Sequence, residues 1–243
     1  MLVNADVKGL EVVVAAELSG DKILKQEIID RIDIHERNRD RFKLGEGKAG
    51  RLVAKILKFR IIYGGGAYSF ANDSDFRGVS VSVKFWENII EEYYAKYTGL
   101  KAWHQTLIET AQREGKLTIP SGRHYPVAPT ENKWKGGMDW PITQIKNYPV
   151  QGFGADLVML ARLEARKLIR ESGLECVLVS TIHDSIVADC PEKNTAAVGY
   201  MLNNAIESVP ALCHKIFGYN FSLPLTSEVQ YGRNKKEMVD LVL

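Results

Sequence analysis

The chain has 243 residues, 45% hydrophobic and 26% charged, which is ordinary for a globular protein with ample material for one large domain or two small ones. Net charge is +2 and pI about 8.3, so any polyanion-binding surface has to come from a local cluster such as Lys48, Arg51, Lys55, Lys58 and Arg60 rather than from overall charge. Cys176, Cys190 and Cys213 lack C-x-x-C spacing, no apolar run nears the ~20 residues of a membrane span, and the N-terminus lacks a signal peptide; this argues against a disulfide framework, a zinc site or a membrane partner and fits a reducing cytoplasm.

Met1 to Asp6 reads as a short strand and Leu10 to Leu18 as a largely buried helix ended by Ser19-Gly20-Asp21. Asp21 to Arg41 reads as helical and charged, and Lys43 to Gly50, with three glycines, as the loop before a central helix. That helix, Arg51 to Tyr63, is closed by the glycines that follow it. Ala67 to Val83 is polar and mixed and gives no clear pattern. Phe85 to Tyr97 is an amphipathic helix with Phe85, Ile89, Tyr93 and Tyr97 on one face, and Leu100 to Glu114 another, closed by Gly115. Lys116 to Trp140 holds Pro120, Pro126 and Pro129 and reads as hairpin and loop. Gln151 to Ser172 is a long helix ended by Gly173. Cys176 to Ile182 and Ser185 to Ala188 form the clearest strand pair, joined at His183-Asp184. Asn194 to Val209 is a further helix and Phe221 to Tyr231 a final strand. Strands at both ends with helices between imply an α+β fold: a sheet built from distant segments, with a helical subdomain inserted.

Two places carry chemistry. Arg51, Lys55, Phe59 and Tyr63 are spaced by four, a stripe that turns slowly about a helix. Two cations a turn apart suit a polyphosphate, and aromatics further along suit a base. A basic amphipathic helix with one wet face would show the same spacing. Asp6 ends an apolar strand and Asp184 sits at the tip of an apolar hairpin. Each alone reads as a turn residue or helix cap. Together, near a polyphosphate-binding helix, they fit a Mg²⁺ site, which takes one or two carboxylates plus phosphate oxygens and water.

R-x-x-x-K-x-x-x-F-x-x-x-Y-G, from Arg51 to Gly64, resembles the fingers helix of family A (Pol I-like) DNA polymerases. The family's other motifs follow in order. Asn4-Ala5-Asp6-Val7-Lys8-Gly9-Leu10-Glu11, running on to Leu18-Ser19-Gly20-Asp21, resembles motif A; Asp33-Ile34-His35 matches the D-I-H after it. Asn147-Tyr148-Pro149-Val150-Gln151-Gly152 with Ala155-Asp156 resembles N-x-P-x-Q-G-x-A-A-D, and Ile182-His183-Asp184-Ser185 resembles motif C. Pro224-Leu225 to Gly232 resembles the closing strand, so the likeness spans nearly the whole chain.

The resemblance implies an antiparallel palm sheet with inserted helical fingers: palm 1–20 with motif A, fingers 21–141, and palm 142–243 with motif C. It implies attack of a primer 3′-hydroxyl on the α-phosphate of a dNTP, with two Mg²⁺ ions held by Asp6, Asp184 and the Val7 carbonyl. Arg51 and Lys55 would neutralise the triphosphate, Lys55 also giving a proton to pyrophosphate. His35 would touch the phosphates, Phe59 would flank sugar and base, and Tyr63 would stack at the template position. Glu11 would exclude ribonucleotides by crowding the 2′ position. Asn147 and Gln151 would meet the primer–template minor groove, and His183 the primer-terminal phosphate.

Departures from the family pattern are Ser185 for Glu, Arg60 for Gly, and Val7, Lys8 and Gly9 for Tyr, Ser and Gln. Single-subunit RNA polymerases also carry H-D-S and R-x-x-x-K, but Glu11 and Phe59 argue against them. A third reading is a degenerate remnant that binds primer–template without catalysis, which joint retention of Asp6, Arg51, Lys55 and Asp184 disfavours. The five residues before Asp6 are too few for the thumb and exonuclease that the family carries ahead of motif A. The expectation is a split polymerase of bacteriophage type, needing a companion chain with thumb and exonuclease, with an open sheet edge at Met1 to Asp6.

Overall fold

A computed structural model describes residues 1–132 and 136–243. It begins with β1 (Leu2–Val7), then α1 (Leu10–Ser19), α2 (Lys22–Ile29), α3 (Ile34–Phe42), α4 (Gly47–Ile62), α5 (Ala67–Ala71), α6 (Val83–Lys96) and α7 (Thr98–Glu114). Four short strands follow, β2 (Lys116–Thr118), β3 (His124–Pro126), β4 (Thr130–Glu131) and β5 (Met138–Asp139), and then α8 (Ile142–Ser172). The chain ends with β6 (Val177–Ile182), β7 (Ser185–Asp189), α9 (Thr195–Glu207), α10 (Val209–Phe217), β8 (Ser227–Gly232) and β9 (Val239–Asp240). The fold is α+β with an antiparallel sheet, and it divides into two compact units.

The first unit comprises Met1–Val13, Pro120–Gly122 and Gln151–Leu243. Its five-stranded sheet runs β6-β7-β1-β8-β9, antiparallel throughout. Period-two alternation sorts the strands' side chains onto two faces. Val3, Ala5 and Val7 of β1 are buried; Val3 is in register with Ala188, and Ala5 with Ile186 on one side and Val229 on the other. α9 packs against β1 and β8. The opposite face is polar where Asp6 pairs in register with Ser185 and Glu228, and Asn4 with Gln230.

The N-terminal strand is therefore central, not an edge: β1 is hydrogen-bonded by β7 on one side and β8 on the other. The edges are β6 and the two-residue β9, and β6 is the longer, with Val177, Val179 and Ile182 64%, 52% and 46% exposed. A register shift between Leu178 and Ser180 bulges this strand. A bulge at an edge is a common device against unwanted pairing.

The second unit comprises Val14–Ile119 and Arg123–Val150. Phe70, Phe76 and Trp86 form an aromatic cluster, with centroids 5.3, 5.8 and 4.8 Å apart. Glu27 is buried yet ionised: burial pushes its carboxyl up, but Lys96 (2.9 Å), the Tyr97 hydroxyl (2.7 Å) and Arg37 (3.0 Å) hold it below the usual range. Asp21, at the end of the L-S-G-D stretch, ties two helices together. Its Oδ1 accepts from the Leu24 N–H at 2.9 Å, capping α2, and its Oδ2 accepts from Gly99 and Leu100 N–H at 2.8 and 3.1 Å, at the start of α7. A Cβ on Gly99 would meet the Asp21 Cα at 2.7 Å, so only glycine lets the two backbones come this close. Asp21→Ala leaves three backbone donors without this partner. It is expected to cost about 3 kcal/mol and lower the urea midpoint, while Asp21→Asn costs less. Equal midpoints for wild type and Asp21→Ala would show that the cap is not structural.

Several elements differ from the sequence reading. Residues 21–41 form two helices, because Arg31 adopts φ 53° and Asp33 caps a new start. The central helix begins inside the expected loop, at Gly47, and the mixed segment after it contains α5 and a 3₁₀ turn at Ser74–Phe76. On α6, Trp86 is fully buried and Phe85 is only half-buried. α8 starts at Ile142 and continues through Pro149, and the division between units falls just after that proline. α10 and β9 were not anticipated, and the last strand begins at Ser227 rather than Phe221. The hairpin-and-loop reading of 116–140 agrees with β2 to β5, except at residues 133–135, which lie outside the described residues.

Candidate active site

In the first unit Asp6, near the end of β1, and Asp184, in the β6–β7 turn, stand side by side. The Val7 N–H donates to the Asp184 carbonyl at 3.0 Å, closing the turn onto β1. Asp184 lies within hydrogen-bonding reach of Asp6, and burial, reinforced by Asp184 and Glu228, pushes the Asp6 carboxyl up to about 6. Lys235, whose Nζ donates to Asn4 Oδ1 at 2.7 Å, opposes that shift in part. Ser185, the departure from the motif, is buried and its hydroxyl donates to the Ile182 carbonyl at 3.0 Å. It stabilises the turn. His183 is exposed and occupies the left-handed region at φ 53°, as a two-residue hairpin loop requires at one central position.

Hard, closely spaced oxygen donors with an unfavourable mutual repulsion fit a divalent cation, whose charge relieves that repulsion. Among the described residues no cluster of three or more His, Cys, Asp or Glu could hold a metal. The chain offers two carboxylates, which is the number Mg²⁺ commonly takes from protein when phosphates and water complete its shell. Glu11 follows in the first turn of α1 and is half-buried. Gln151 is exposed on α8.

In the second unit α4 presents Arg51 and Lys55 to solvent, with Phe59 half-buried a turn further on and Tyr63 as its C-cap. Gly64, at φ 81°, turns the chain away. α3 lies against α4 and brings His35 to Phe59, ring centroids 6.4 Å apart. Asp33 Oδ1 caps α3 by accepting from the His35 and Glu36 N–H groups at 3.0 Å each, while Oδ2 accepts from Arg51 Nε at 2.7 Å. Burial is the largest single influence and pushes the Asp33 carboxyl up, but Arg51 and the backbone together outweigh it and hold it below its usual range. His35 is not the exposed helix-end group that its position would otherwise imply. Burial, then Lys58 and Arg51, depress it to about 3, so it is neutral at physiological pH.

The basic cluster read as one surface is not one surface. Lys48, Arg51 and Lys55 are exposed, but Lys58 is 3% exposed and Arg60 is neutralised by Asp73 at 2.7 Å and Asp75 at 3.2 Å. Those ion pairs also explain how a bulky cation is tolerated at residue 60. Asn147 lies one helical turn before Gln151 on α8, and its Oδ1 is buried without a partner among the described residues. Sequence reasoning missed Asp33 as the partner of Arg51, Lys58 as a buried cation, and Glu228 and Lys235 beside Asp6. The D-x-x-E spacing from Asp33 was a readable helix-start signal. Glu228 depended on the β1–β8 register, which no local pattern fixed.

The sequence matches the model of DNA polymerase family A over residues 1–237, and the chain belongs to that family. Among its relatives, the thermostable DNA polymerase I of Thermus aquaticus is 26% identical over 239 residues, covering 96% of this chain and 27% of that protein. A DNA polymerase of Bacillus phage SP01 is 24% identical over 187 residues, covering 77% of this chain and 20% of that protein. The chain thus spans about a quarter of the length of the relatives it matches. The solved polymerase domain of Pol1 from M. smegmatis, in complex with DNA primer-template and dNTP, superposes with a TM-score of 0.78 at 20% identity, over 96% of this chain and 39% of that one.

Proposed function

We propose that this chain is the palm and fingers part of a DNA-directed DNA polymerase, adding dNTPs to a primer 3′ end in replication. The observation that carries this reading is the Asp6–Asp184 carboxylate pair, held on a sheet in a family A chain that also keeps the Arg51, Lys55, Phe59 and His35 constellation on α3 and α4. Residues 1–20 and 142–243 take the palm role and 21–141 the fingers role.

Asp6, Asp184 and the Val7 carbonyl would hold two Mg²⁺ ions. Bound there, such ions supply an activated hydroxyl nucleophile and neutralise charge on the leaving oxygen. Arg51 and Lys55 bind the triphosphate, and His35, being neutral, offers a hydrogen bond to it rather than charge. The primer 3′-hydroxyl releases its proton to water as its oxygen bonds to the α-phosphorus, the bond from that phosphorus to the α–β bridging oxygen breaks, and Lys55 gives a proton to the departing pyrophosphate. Phe59 flanks sugar and base, and Tyr63 stacks at the template position. Asn147, Gln151 and His183 orient primer and template.

Glu11 crowds the 2′ position. Glu11→Ala is expected to raise ribonucleotide use on the order of 100-fold relative to dNTPs, measured as the ratio of kcat/KM values. Wild type that used both sugars equally would instead favour the RNA polymerase reading.

Net charge of +2 provides little grip on duplex phosphates, which supply most sequence-independent affinity. In this reading a thumb-bearing companion chain would supply the grip. Primer extension by the purified 243 residues, with and without that companion, tests the reading across a salt series. Extension should be poor alone and restored by the companion. Absence of extension in the complete assembly with Mg²⁺ would leave the binding-remnant reading standing.

A further inference from the structure

Lys58 is the buried cation that the roles above do not use. It lies on α4 between Lys55 and Phe59 with 3% of its surface exposed. Its Nζ sits 3.4 Å from His35 Nε2 and 5.6 Å from the centre of the Phe59 ring. No ion pair to Lys58 is present among the described residues. A buried ammonium without a carboxylate partner is costly, so something must offset it or use it.

We propose that Lys58 is a positioning residue for the polyphosphate site: by donating to His35 Nε2 it fixes the His35 proton on Nδ1, and behind Arg51 and Lys55 it is a buried amine that takes up positive charge when the anion binds. This deepens the nucleotide-binding reading and rests on it. The His35 ring can accept at Nε2 only if that nitrogen is unprotonated, which places the proton on Nδ1. Nδ1 is buried and has no partner among the described residues. A buried N–H without an acceptor is an unpaid hydrogen bond. An anion oxygen would complete it only if the ring shifts to bring that nitrogen to the surface, a shift that binding has to drive.

The surroundings of Lys58 make its charge responsive. Asp33 and His35 face it from α3, Arg51 and Lys55 from its own helix, and Glu27 from α2. Burial, aided by Lys55 and Arg51 and opposed by Asp33 and Glu27, lowers the Lys58 ammonium to about 7. A triphosphate on Arg51 and Lys55 cancels the two repelling cations and adds negative charge nearby. It therefore favours protonated Lys58, and binding should draw in a proton near neutral pH. A Lys whose folded pKa is depressed carries its cost below that pKa, and the cost fades as pH rises towards the unfolded value.

The test uses the full chain and three variants, with dATP and inorganic tripolyphosphate as probes. Lys58→Met, of similar volume but uncharged, should raise the melting temperature near pH 7, and wild type should close that gap as pH rises towards 10. Titration calorimetry in buffers of different ionisation enthalpy should show proton uptake on tripolyphosphate binding by wild type at pH 7.5, and none by Lys58→Met. Affinity of Lys58→Met should fall about 10-fold, the scale of a lost charge-assisted hydrogen bond. Nitrogen-15 shifts of His35 should report the Nδ1–H tautomer in wild type and a change in Lys58→Met. Unchanged His35 shifts with unchanged proton uptake overturn the proposal, provided Arg51→Ala and Lys55→Ala still weaken binding. If those two variants bind normally, the nucleotide site itself is wrongly placed. If they fail while Lys58→Met matches wild type, only the role of Lys58 falls.

Discussion

Asp6→Asn or Asp184→Asn is expected to lower Mg²⁺-dependent primer extension by roughly 10³-fold or more in a polymerase assembled with this chain, the scale for removing a main electrostatic stabiliser of developing charge. The same substitutions should make the metal-free chain more stable, not less. Asp6 is pushed up to about 6 by burial and by its neighbour Asp184, so at pH 7 the folded state carries a repulsion that the unfolded chain does not. Asp6 is partly exposed and water screens much of this, leaving a gain of about 1 kcal/mol and a melting temperature higher by a few degrees. Asn is the right replacement, because the turn depends on the Asp184 backbone carbonyl, which accepts from Val7, and not on its side chain. Mg²⁺ at about 100 times its dissociation constant should stabilise wild type by about 2.7 kcal/mol and the variants far less. Loss of extension together with loss of stability would mean that the carboxylates hold the fold. Near-normal extension by either variant would remove them from the chemistry.

The paired effects follow from how the site is built, and they explain what the sequence could reveal. Asp6 was legible because it interrupts an apolar strand, and Asp184 because it sits at a hairpin tip. Spacing alone put Arg51, Lys55 and Phe59 on one rod. Spacing could not say which basic residues face water, since Lys58 lies only three positions beyond Lys55 and yet is turned inward against α3. Burial on a helix depends on the direction of its partner helix, and α3 was hidden inside what read as one continuous charged helix. Arg31 at φ 53° is a break without glycine or proline to announce it. The opposite error came at α8, expected from Gln151 yet starting at Ile142 and running through Pro149. The open edge was expected at β1 because the family's preceding palm segment is missing before that strand in this sequence. Sheet order is set by long-range register, which placed β1 in the middle and left β6 outside.

The second large effect concerns the cations of α4. Arg51→Ala should weaken triphosphate binding about 10- to 100-fold and Lys55→Ala about 10-fold, in the range of one or two charge-assisted hydrogen bonds. The asymmetry arises because a guanidinium can hold phosphate oxygens in a fork and an exposed ammonium acts as a point charge. Arg51, however, starts in a 2.7 Å bond to Asp33 Oδ2, so part of its binding energy goes into leaving or sharing that carboxylate. Asp33→Asn isolates the term. The asparagine carbonyl can still cap α3 through the His35 and Glu36 N–H groups, while the bond to Arg51 Nε is lost. A half-exposed ion pair is worth at most about 1 kcal/mol, so Asp33→Asn should tighten triphosphate binding by up to about 5-fold. The double variant Arg51→Ala with Asp33→Asn should bind like Arg51→Ala alone, because the carboxylate then has nothing to compete for. Calorimetric titration of dATP into the four proteins closes the cycle. Weaker binding by Asp33→Asn would show that Asp33 aims Arg51 at the phosphates, and that the ion pair is part of the bound state.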